Sequence, residues 1–415
     1  MKKGWKTDKF KNQIQYKSGY TWSKEQELKT QEPNSVRVLT VTNIQKDLDL
    51  SEELYLQGVS EKDKKEKAVS KDWCIAVSSN GNRKRIGNAV FIKDDTDYLF
   101  ASFLTAFKPK EDSDILPDYV FRWLSSHVVQ ERITSVSEGT TGLGNLDIRY
   151  LRNMDIHFPE KPVQTAIANI LSKVDEAIAA VQGSIAAAER LKKSLMQNLL
   201  TGHMKPDGTL RTDDEFYMDE KFGKVPRGWE VKRIDEISER KTDVIDPTKT
   251  KIVYDYIGLE HIIPDEFTRC GKGLSNETVA LKVKFEKGDL LYGKLRPYLN
   301  KVFISDISGV GSTEFIVLKQ NEFTNWVYLN FQLQQFLDYT KSMTAGTQHP
   351  RASWKDIKHY LVCVPKDEQE KESIENKLLS LEQYKKTQSA KIETMERLKK
   401  SLMQNLLTGR VRINL

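Results

Sequence analysis

The stretch ERLKKSLMQNLLTG occupies Glu189–Gly202 and recurs, letter for letter, at Glu396–Gly409. The copies lie 207 residues apart in a chain of 415. Fourteen consecutive identities at that separation mark an internal duplication, and the period is far too long for a solenoid. Weaker matches keep the same offset upstream: Ile167, Asn169 and Leu171 correspond to Ile374, Asn376 and Leu378, and Gly139-Thr140 to Gly346-Thr347. Earlier the offset drifts, as expected where loops differ in length. Asn88 and Val90-Phe91-Ile92 pair with Asn300 and Val302-Phe303-Ile304, and Gly4-Trp5 with Gly228-Trp229. Each half is therefore a variable globular part followed by a nearly invariant tail.

The tails have helical periodicity. In the first, Ile167, Leu171, Val174, Ile178, Val181, Ile185, Ala188, Leu191, Leu195 and Leu199 are spaced by three or four residues. This heptad-like stripe predicts a helix of roughly 60 Å at 1.5 Å per residue. The second tail follows in register through Ile374, Leu378, Leu381, Lys385, Gln388, Ile392, Met395, Leu398, Leu402 and Leu406, with Lys385 and Gln388 interrupting its apolar stripe. Gly202 and Gly409 sit where a helix stop is expected. Pro162 falls in a first turn, where proline is tolerated. Two such helices, spanning 160–202 and 366–409, are expected to pack antiparallel with a globular domain at each end. The globular parts then cover 1–159 and 225–365, with a short tail at 410–415. The polar, glycine-containing run His203–Trp229 reads as a linker with little structure of its own, covering 203–224 before the second domain begins. The mixed-charge run EKDKKEK (Glu61–Lys67) reads as a solvated loop.

Composition narrows the classes. Charged residues make up 30% and hydrophobic ones 38%, enough for two or three domains with their own cores. No run of 18 apolar residues occurs and the first ten residues, MKKGWKTDKF, lack the apolar stretch of a signal peptide, so a cytoplasmic, non-membrane protein is expected. Cys74, Cys270 and Cys363 are spaced too widely for a disulfide framework or a structural zinc site.

Catalytic motifs are missing. GDLLYGKL (Gly288–Leu295) nearly matches a phosphate-binding loop, but Leu295 replaces the hydroxyl residue that would hold magnesium, and Pro297 follows where a helix should begin. Pro206-Asp207 with Glu230-Val231-Lys232 mimics a nuclease site only loosely, its first half lying in the expected linker. Neither a glycine-rich cofactor loop nor a base-methylation motif of the Asn-Pro-Pro-aromatic type is present, and the six histidines show no ligand spacing. No catalytic residue, metal ligand or cofactor is expected in this chain.

Positive charge, although the net value is only +6, is clustered. Asn80-Gly81-Asn82-Arg83-Lys84-Arg85 holds three cations and two amides without an acid. Leu281–Lys301 carries Lys282, Lys284, Lys287, Lys294, Arg296 and Lys301 against Glu286 and Asp289, with Tyr292 and Tyr298 interleaved. A third cluster is Gly346-Thr347-Gln348-His349-Pro350-Arg351, whose first-half counterpart, Gly139 to Asn145, is neutral and includes Thr140 and Thr141. Arg and Lys neutralise phosphates and bond guanine, Asn and Gln bond adenine, and glycines let backbone amides approach phosphate. The expected double-stranded DNA contacts are Asn80, Asn82, Arg83, Lys84, Arg85, Thr140, Thr141, Lys294, Arg296, Tyr298, Gln348, His349 and Arg351.

At these residues the chain resembles the specificity subunits of type I restriction–modification systems. YGKLRPYLNKVFI (Tyr292–Ile304) followed by STEFIVL (Ser312–Leu318) looks like the framework of that family's target recognition domain. YIGLEHI (Tyr256–Ile262) is similar to another framework strand, VPRGWEV (Val225–Val231) to the usual lead-in, and the repeated RLKKSLMQNLLTG to the end of its long helices. The first half departs from the pattern. Ser78–Ile92 keeps only the tail of the Tyr292–Ile304 motif, and Ala101-Ser102-Phe103 stands where Thr313-Glu314-Phe315 stands in the second half.

The resemblance implies an α+β (mixed α/β) fold: two target recognition domains separated by two long antiparallel helices packed as a coiled coil, with pseudo-twofold duplication. It implies a non-catalytic DNA-specificity subunit whose domains each read one half of an asymmetric bipartite site. The helix pair would set the spacing and dock two methyltransferase subunits and, through them, the restriction–translocase subunits. Adenine-N6 methylation and ATP-dependent cleavage would belong to those partners, together with S-adenosylmethionine, ATP and magnesium. Ile167, Leu171, Val174, Leu191, Leu195, Leu199, Ile374, Leu378, Leu398, Leu402 and Leu406 would serve helix packing or partner docking. The competing readings are a free-standing DNA-binding protein, separable by whether it purifies with stoichiometric partners, and a single-chain nuclease or methyltransferase, which the missing motifs oppose. A coiled-coil scaffold leaves the basic clusters without a role.

Overall fold

Strand Trp5–Lys9 pairs antiparallel with Asp155–Pro159, and Trp229–Arg233 pairs in the same register with Leu361–Pro365, so Trp5 faces Pro159 as Trp229 faces Pro365. These pairings begin and close the globular part of each half. The computed structural model describes residues 4–137, 144–344 and 350–413. The chain forms two compact units, Met1–Gln182 with Ala390–Leu415, and Gly183–Ser389.

The first unit holds a four-stranded antiparallel sheet in the order Ile14–Ser18, Leu104–Pro109, Cys74–Val77, Ala89–Phe91. A second sheet is ordered Glu27–Leu28, Tyr55–Leu56, Val36–Leu39, Leu99–Phe100, its last pair parallel. Helices Pro117–Leu124 and His127–Val136 cover the first sheet's core, where Phe10 stacks on Trp123 with ring centroids 4.8 Å apart.

The second unit repeats this plan. Its central sheet runs Arg240–Lys241, Phe315–Leu318, Leu290–Gly293, Val302–Ile304. Beside it lies a five-stranded sheet, Val244–Ile245, Lys282–Phe285, Gly309–Ser312, Asp255–Ile257, Gly273–Leu274, again with one parallel pair. Every residue of Leu290–Gly293 and Phe315–Leu318 is buried, which is why these runs are continuously apolar instead of alternating. Tyr292 packs edge-on against Phe331 and Phe336, so it is a core residue.

Sheet register corrects one correspondence. Phe91 pairs with Cys74, which pairs with Phe107; Phe303 pairs with Leu291, which pairs with Val317. Phe107 therefore matches Val317 and Leu104 matches Glu314, two residues away from the alignment of Ala101-Ser102-Phe103 with Thr313-Glu314-Phe315. A two-residue slip keeps every side chain on its own face, so apolar patterning cannot detect it. The pairing also reveals a match that the letters hide. Thr40–Asn43 and Gly258–His261 each open a 3-10 turn after a strand. The N–H of Thr40 donates to Asn43 Oδ1 at 2.8 Å, and that of Gly258 to His261 Nδ1 at 3.0 Å.

Two further expectations need correction. Glu61–Lys67 is a helix, not a loop. Ser60 Oγ caps it by accepting from the Asp63 N–H, acids occupy its first turn and lysines its last, and Glu61 pairs with Lys64 at 2.7 Å; that order complements the helix dipole. The expected structureless run after Gly202 instead folds onto the second unit. Phe216–Asp219 and Gly223–Pro226 form a hairpin with Phe216 and Val225 buried, and Arg211 forms an ion pair with Glu370 and lies over the Trp229 ring.

The tails are the helices Lys161–Leu199 and Glu368–Leu407. In the first unit Ile167 and Leu171 share a core with Met403, Leu406 and Leu407. In the second unit Met196, Leu199 and Leu200 share one with Ile374 and Leu378. Each unit thus contains an antiparallel pairing of the start of one helix with the end of the other. Ion pairs follow the same direction: Asp175 with Lys399 at 2.5 Å in the first unit, Glu189 with Lys385 at 2.6 Å and Lys192 with Glu382 in the second. Lys385 interrupts its apolar stripe because it meets a carboxylate. Leu195 and Leu402 are partly buried against these cores and Val174 is half-buried, whereas Leu191 and Leu398 are 50% and 52% exposed. Lys192 occupies the half-buried position that strict periodicity gives to Leu191. Gly202 and Gly409 end the helices at φ +71° and +60°, the left-handed cap conformation.

Candidate nucleic-acid interface

In the second unit, the strand Leu290–Gly293 carries the chain out of the core toward Lys294, Leu295 and Arg296. Leu295 then bridges antiparallel to Arg351. The Arg296 N–H donates to the Pro350 carbonyl at 2.8 Å and the Ala352 N–H to the Lys294 carbonyl at 2.9 Å. Two basic clusters more than fifty residues apart in sequence are thereby joined into one ridge carrying Arg296 and Arg351, both exposed, and the half-buried Lys294.

The ridge is held in an unusual conformation. Arg296 and Asn300 have φ +52° and +42°, and flank the short turn Pro297–Leu299 whose proline is buried. Left-handed backbone at an arginine costs about 1–2 kcal/mol, offset here by the buried Pro297 and Asn300. Tyr298 remains 47% exposed beside Arg296. Arg351 Nη2 lies 3.1 Å from Glu314 Oε1, and the Lys294 N–H donates to the Glu314 carbonyl at 2.8 Å. Burial holds the Lys294 ammonium below its usual range; Glu314 opposes this shift, while the charges of Arg240 and Arg351 add to it. Glu314 is thus ion-paired to Arg351 and close enough to Lys294 to act on its charge.

Two other lysines of the long basic segment are used by the fold. Lys301 Nζ donates to the Leu259 carbonyl at 2.6 Å. Lys282 is buried, donates to the Ala280 carbonyl at 2.7 Å and lies over the Tyr256 ring. The phosphate-loop look-alike is a strand entering a proline turn, with Asp289 buried and paired to Lys241 at 2.7 Å.

The first unit makes a comparable junction. Ser79–Asn80 pairs antiparallel with Gly144–Asn145, and the Leu146 N–H donates to the Ser78 carbonyl at 2.8 Å. Asn80 Oδ1 accepts from the Asn82 N–H and Asn82 Oδ1 from the Lys84 N–H, so both amides shape the turn. Asn82, Arg83 and Lys84 are exposed. A Cβ on Gly144 would lie 3.0 Å from Arg83 Cγ, so glycine lets the two segments approach closely here. Arg85 braces the turn: its Nη2 donates to the carbonyls of Val41 and Ile44 at 2.9 and 2.6 Å.

One residue of this edge escaped sequence reasoning. Phe103 is 53% exposed, and its carbonyl accepts from the N–H groups of Ser78 and Ser79 at 2.8 and 3.1 Å, which sets it beside the junction. The sequence alignment hid it opposite Phe315; only the sheet register sets it opposite Thr313. Thr140, Thr141, Gln348 and His349 lie outside the described residues. Among the described residues no group of three or more His, Cys, Asp or Glu could hold a metal, and no helix is long and apolar enough to cross a membrane.

Comparison with known proteins gives this geometry a family. Residues 2–190 and 226–397 each match the type I restriction modification DNA specificity domain. The chain is 20% identical over 325 residues to the type I restriction enzyme MjaVIII specificity subunit of Methanocaldococcus jannaschii, covering 74% of each. It is 24% identical over 265 residues to the EcoDI specificity subunit of Escherichia coli, covering 57% of this chain and 56% of the relative. Its fold is similar to the S subunit of a type I system from M. genitalium, with a TM-score of 0.58 at 17% identity over 97% of this chain and 96% of that one. The doubled α+β plan and both matched segments lead to one assignment: the chain belongs to the DNA specificity subunits of type I restriction–modification systems.

Proposed function

We propose that this chain supplies the DNA address of a type I restriction–modification complex, with each unit reading one half of an asymmetric, two-part site. Under this reading residues 1–159 and 225–365 are the recognition domains. The second contacts the duplex through Lys294, Arg296, Tyr298, Gln348, His349 and Arg351, the first through Asn80, Asn82, Arg83, Lys84, Arg85, Thr140 and Thr141.

The observation that carries the reading is the ridge formed where Leu295 bridges Arg351. It concentrates arginine and lysine on a backbone fixed by strand pairing, which favours base reading over loose attraction to phosphate. The first unit builds its junction from different side chains, as two unlike half-sites require. Helices of 39 and 40 residues are long enough to act as a spacer between half-sites about one turn of DNA apart. The identical segments ending in Gly202 and Gly409 expose Leu191 and Leu398 equally, which suits two copies of one methyltransferase subunit. The restriction–translocase subunits bind through the methyltransferase. Adenine chemistry, on a base flipped from the duplex, belongs to the partners with their S-adenosylmethionine, ATP and magnesium.

The test is to co-express the chain with its methyltransferase subunit and map modified adenines. A single split, asymmetric motif is expected; modification at a continuous site, or at none, overturns the reading.

A further inference from the structure

We propose that Glu314 is a specificity-determining positioning residue: its carboxylate holds Arg351 in the orientation in which the second unit reads a base pair. The inference rests on Arg351 being a base contact, as given above.

Glu314 is well suited to act as a fixed anchor. It directly precedes Phe315–Leu318, a strand with every residue buried, and its own amide donates to Ser312 Oγ at 3.2 Å. Its side chain is 25% exposed against 59% for Arg351. Oε1 faces the guanidinium at 3.1 Å, whereas Oε2 is buried with no hydrogen-bond partner. An exposed arginine on its own samples many rotamers. A charge-assisted hydrogen bond to an immobile carboxylate removes much of that freedom before DNA arrives. Arginine has five N–H donors, so one edge can rest on Glu314 while another meets guanine O6 and N7.

A carboxylate among the cations of a DNA-binding ridge works against phosphate attraction. Its presence beside Lys294 and Arg351 is therefore costly for affinity, and orientation of the arginine is what offsets that cost. Among the described residues, the first unit places no carboxylate at the matching strand position. Its matching strand position is Leu104, fully buried, and its loop is closed by Gly144 against Arg83.

Charge removal and loss of positioning have opposite signatures, which makes the test decisive. The full chain, assembled with its methyltransferase subunit, is retained on a randomised pool of duplex DNA, and the bound fraction is sequenced for wild type, E314A, E314Q, R351A and the E314A/R351A double variant. R351A is expected to abolish preference at one position. E314A should lose about tenfold of the preference at that same position, while retention of the whole pool holds or rises because a negative charge is gone. E314Q, whose amide oxygen still accepts from Arg351, should fall between, and the double variant should be no worse than R351A. The proposal is overturned if E314A keeps that preference, weakens all sequences alike, or adds to R351A in the double variant. Silence of R351A would instead remove the base-contact reading, and the positioning role with it.

Discussion

Asp175 and Glu382 occupy equivalent places in the duplicated chain, and each meets the equivalent lysine of the other long helix: Lys399 Nζ lies 2.5 Å from Asp175 Oδ1, and Lys192 pairs with Glu382. Each acid is also tied to its own globular part, Asp175 to Arg122 and Glu382 to the Tyr328 hydroxyl at 2.9 Å. The two lysines come from the identical repeated segment, so one sequence makes the same joint twice.

Asp175 yields a prediction with a definite sign. Its burial raises the carboxyl, but hydrogen bonds and charge from Lys399 and Arg122 prevail and hold it below the ordinary range. A depressed carboxylate contributes its stability fully above the unfolded-state value of about 3.9 and loses it as pH falls through the lower folded value. Asp175→Asn should therefore cost about 1–2 kcal/mol at pH 7, a modest figure because the side chain is still 30% exposed, and the gap from wild type should narrow below pH 4. Thermal unfolding at several pH values measures both.

Glu375 predicts the opposite trend. It is 6% exposed, its Oε1 has no partner, and burial raises its pKa to about 7 despite the charge of Lys371. The folded state then holds a proton that the unfolded state releases near 4.3, so stability should fall as pH rises from about 4 and level off above 7. Glu375→Gln should be more stable than wild type by about 1–3 kcal/mol at pH 8 and lose that advantage at pH 4.

Arg85 and Lys84 are adjacent cations with different expected roles. Removing the Arg85 guanidinium leaves two carbonyls without their donor, so Arg85→Ala should lower stability by about 1–3 kcal/mol. Lys84→Ala should leave the unfolding midpoint unchanged, weaken DNA binding evenly across sequences and reduce the salt slope by about one. Unfolding curves and salt titrations separate the two.

Three glycines on the helices should respond differently to alanine. At Gly202 a Cβ would lie 2.2 Å from Pro226 Cγ, at Gly409 2.7 Å from the Trp5 ring, and both have positive φ. Each substitution should destabilise by about 1–3 kcal/mol. Gly183, inside the first long helix with nothing within 4 Å, should gain about 0.5–1 kcal/mol as alanine.

Leu191 and Leu398 are exposed on otherwise packed helices. Replacing each with Asp should leave the unfolding midpoint within about 0.5 kcal/mol of wild type, as for any surface site. Co-purification of the methyltransferase subunit should fall, and the bases preferred in a pull-down should stay the same.

Where a signal repeated over many residues, as in the two helices, the sequence reading and the structure agree. The apolar spacing from Ile167 and Ile374 found both helices, and the glycines marked both ends. Errors arose where local pattern is degenerate. A two-residue shift of the Phe315 strand preserves its inward and outward faces, and Lys192 replaces Leu191 toward the interior because Glu382 awaits it. In the basic clusters charge was legible but its use was not. Arg85, Lys282 and Lys301 donate to carbonyls, while Lys294 and Arg351 meet only through a bridge between distant segments. Glu314 was legible only as part of the STEFIVL framework motif, since its role toward Arg351 depends on the arginine that folding brings to it.

The shared core of Ile167, Leu171, Met403, Leu406 and Leu407 has a bearing on biosynthesis. A ribosome completes the strands and helices of the first unit long before it reaches Met403, so the nascent chain carries an unfinished apolar seam through the making of nearly all of the second unit. Stalled or prematurely terminated products that stop short of Met403 present Ile167 and Leu171 to solvent, and such fragments should be drawn to chaperones and proteases.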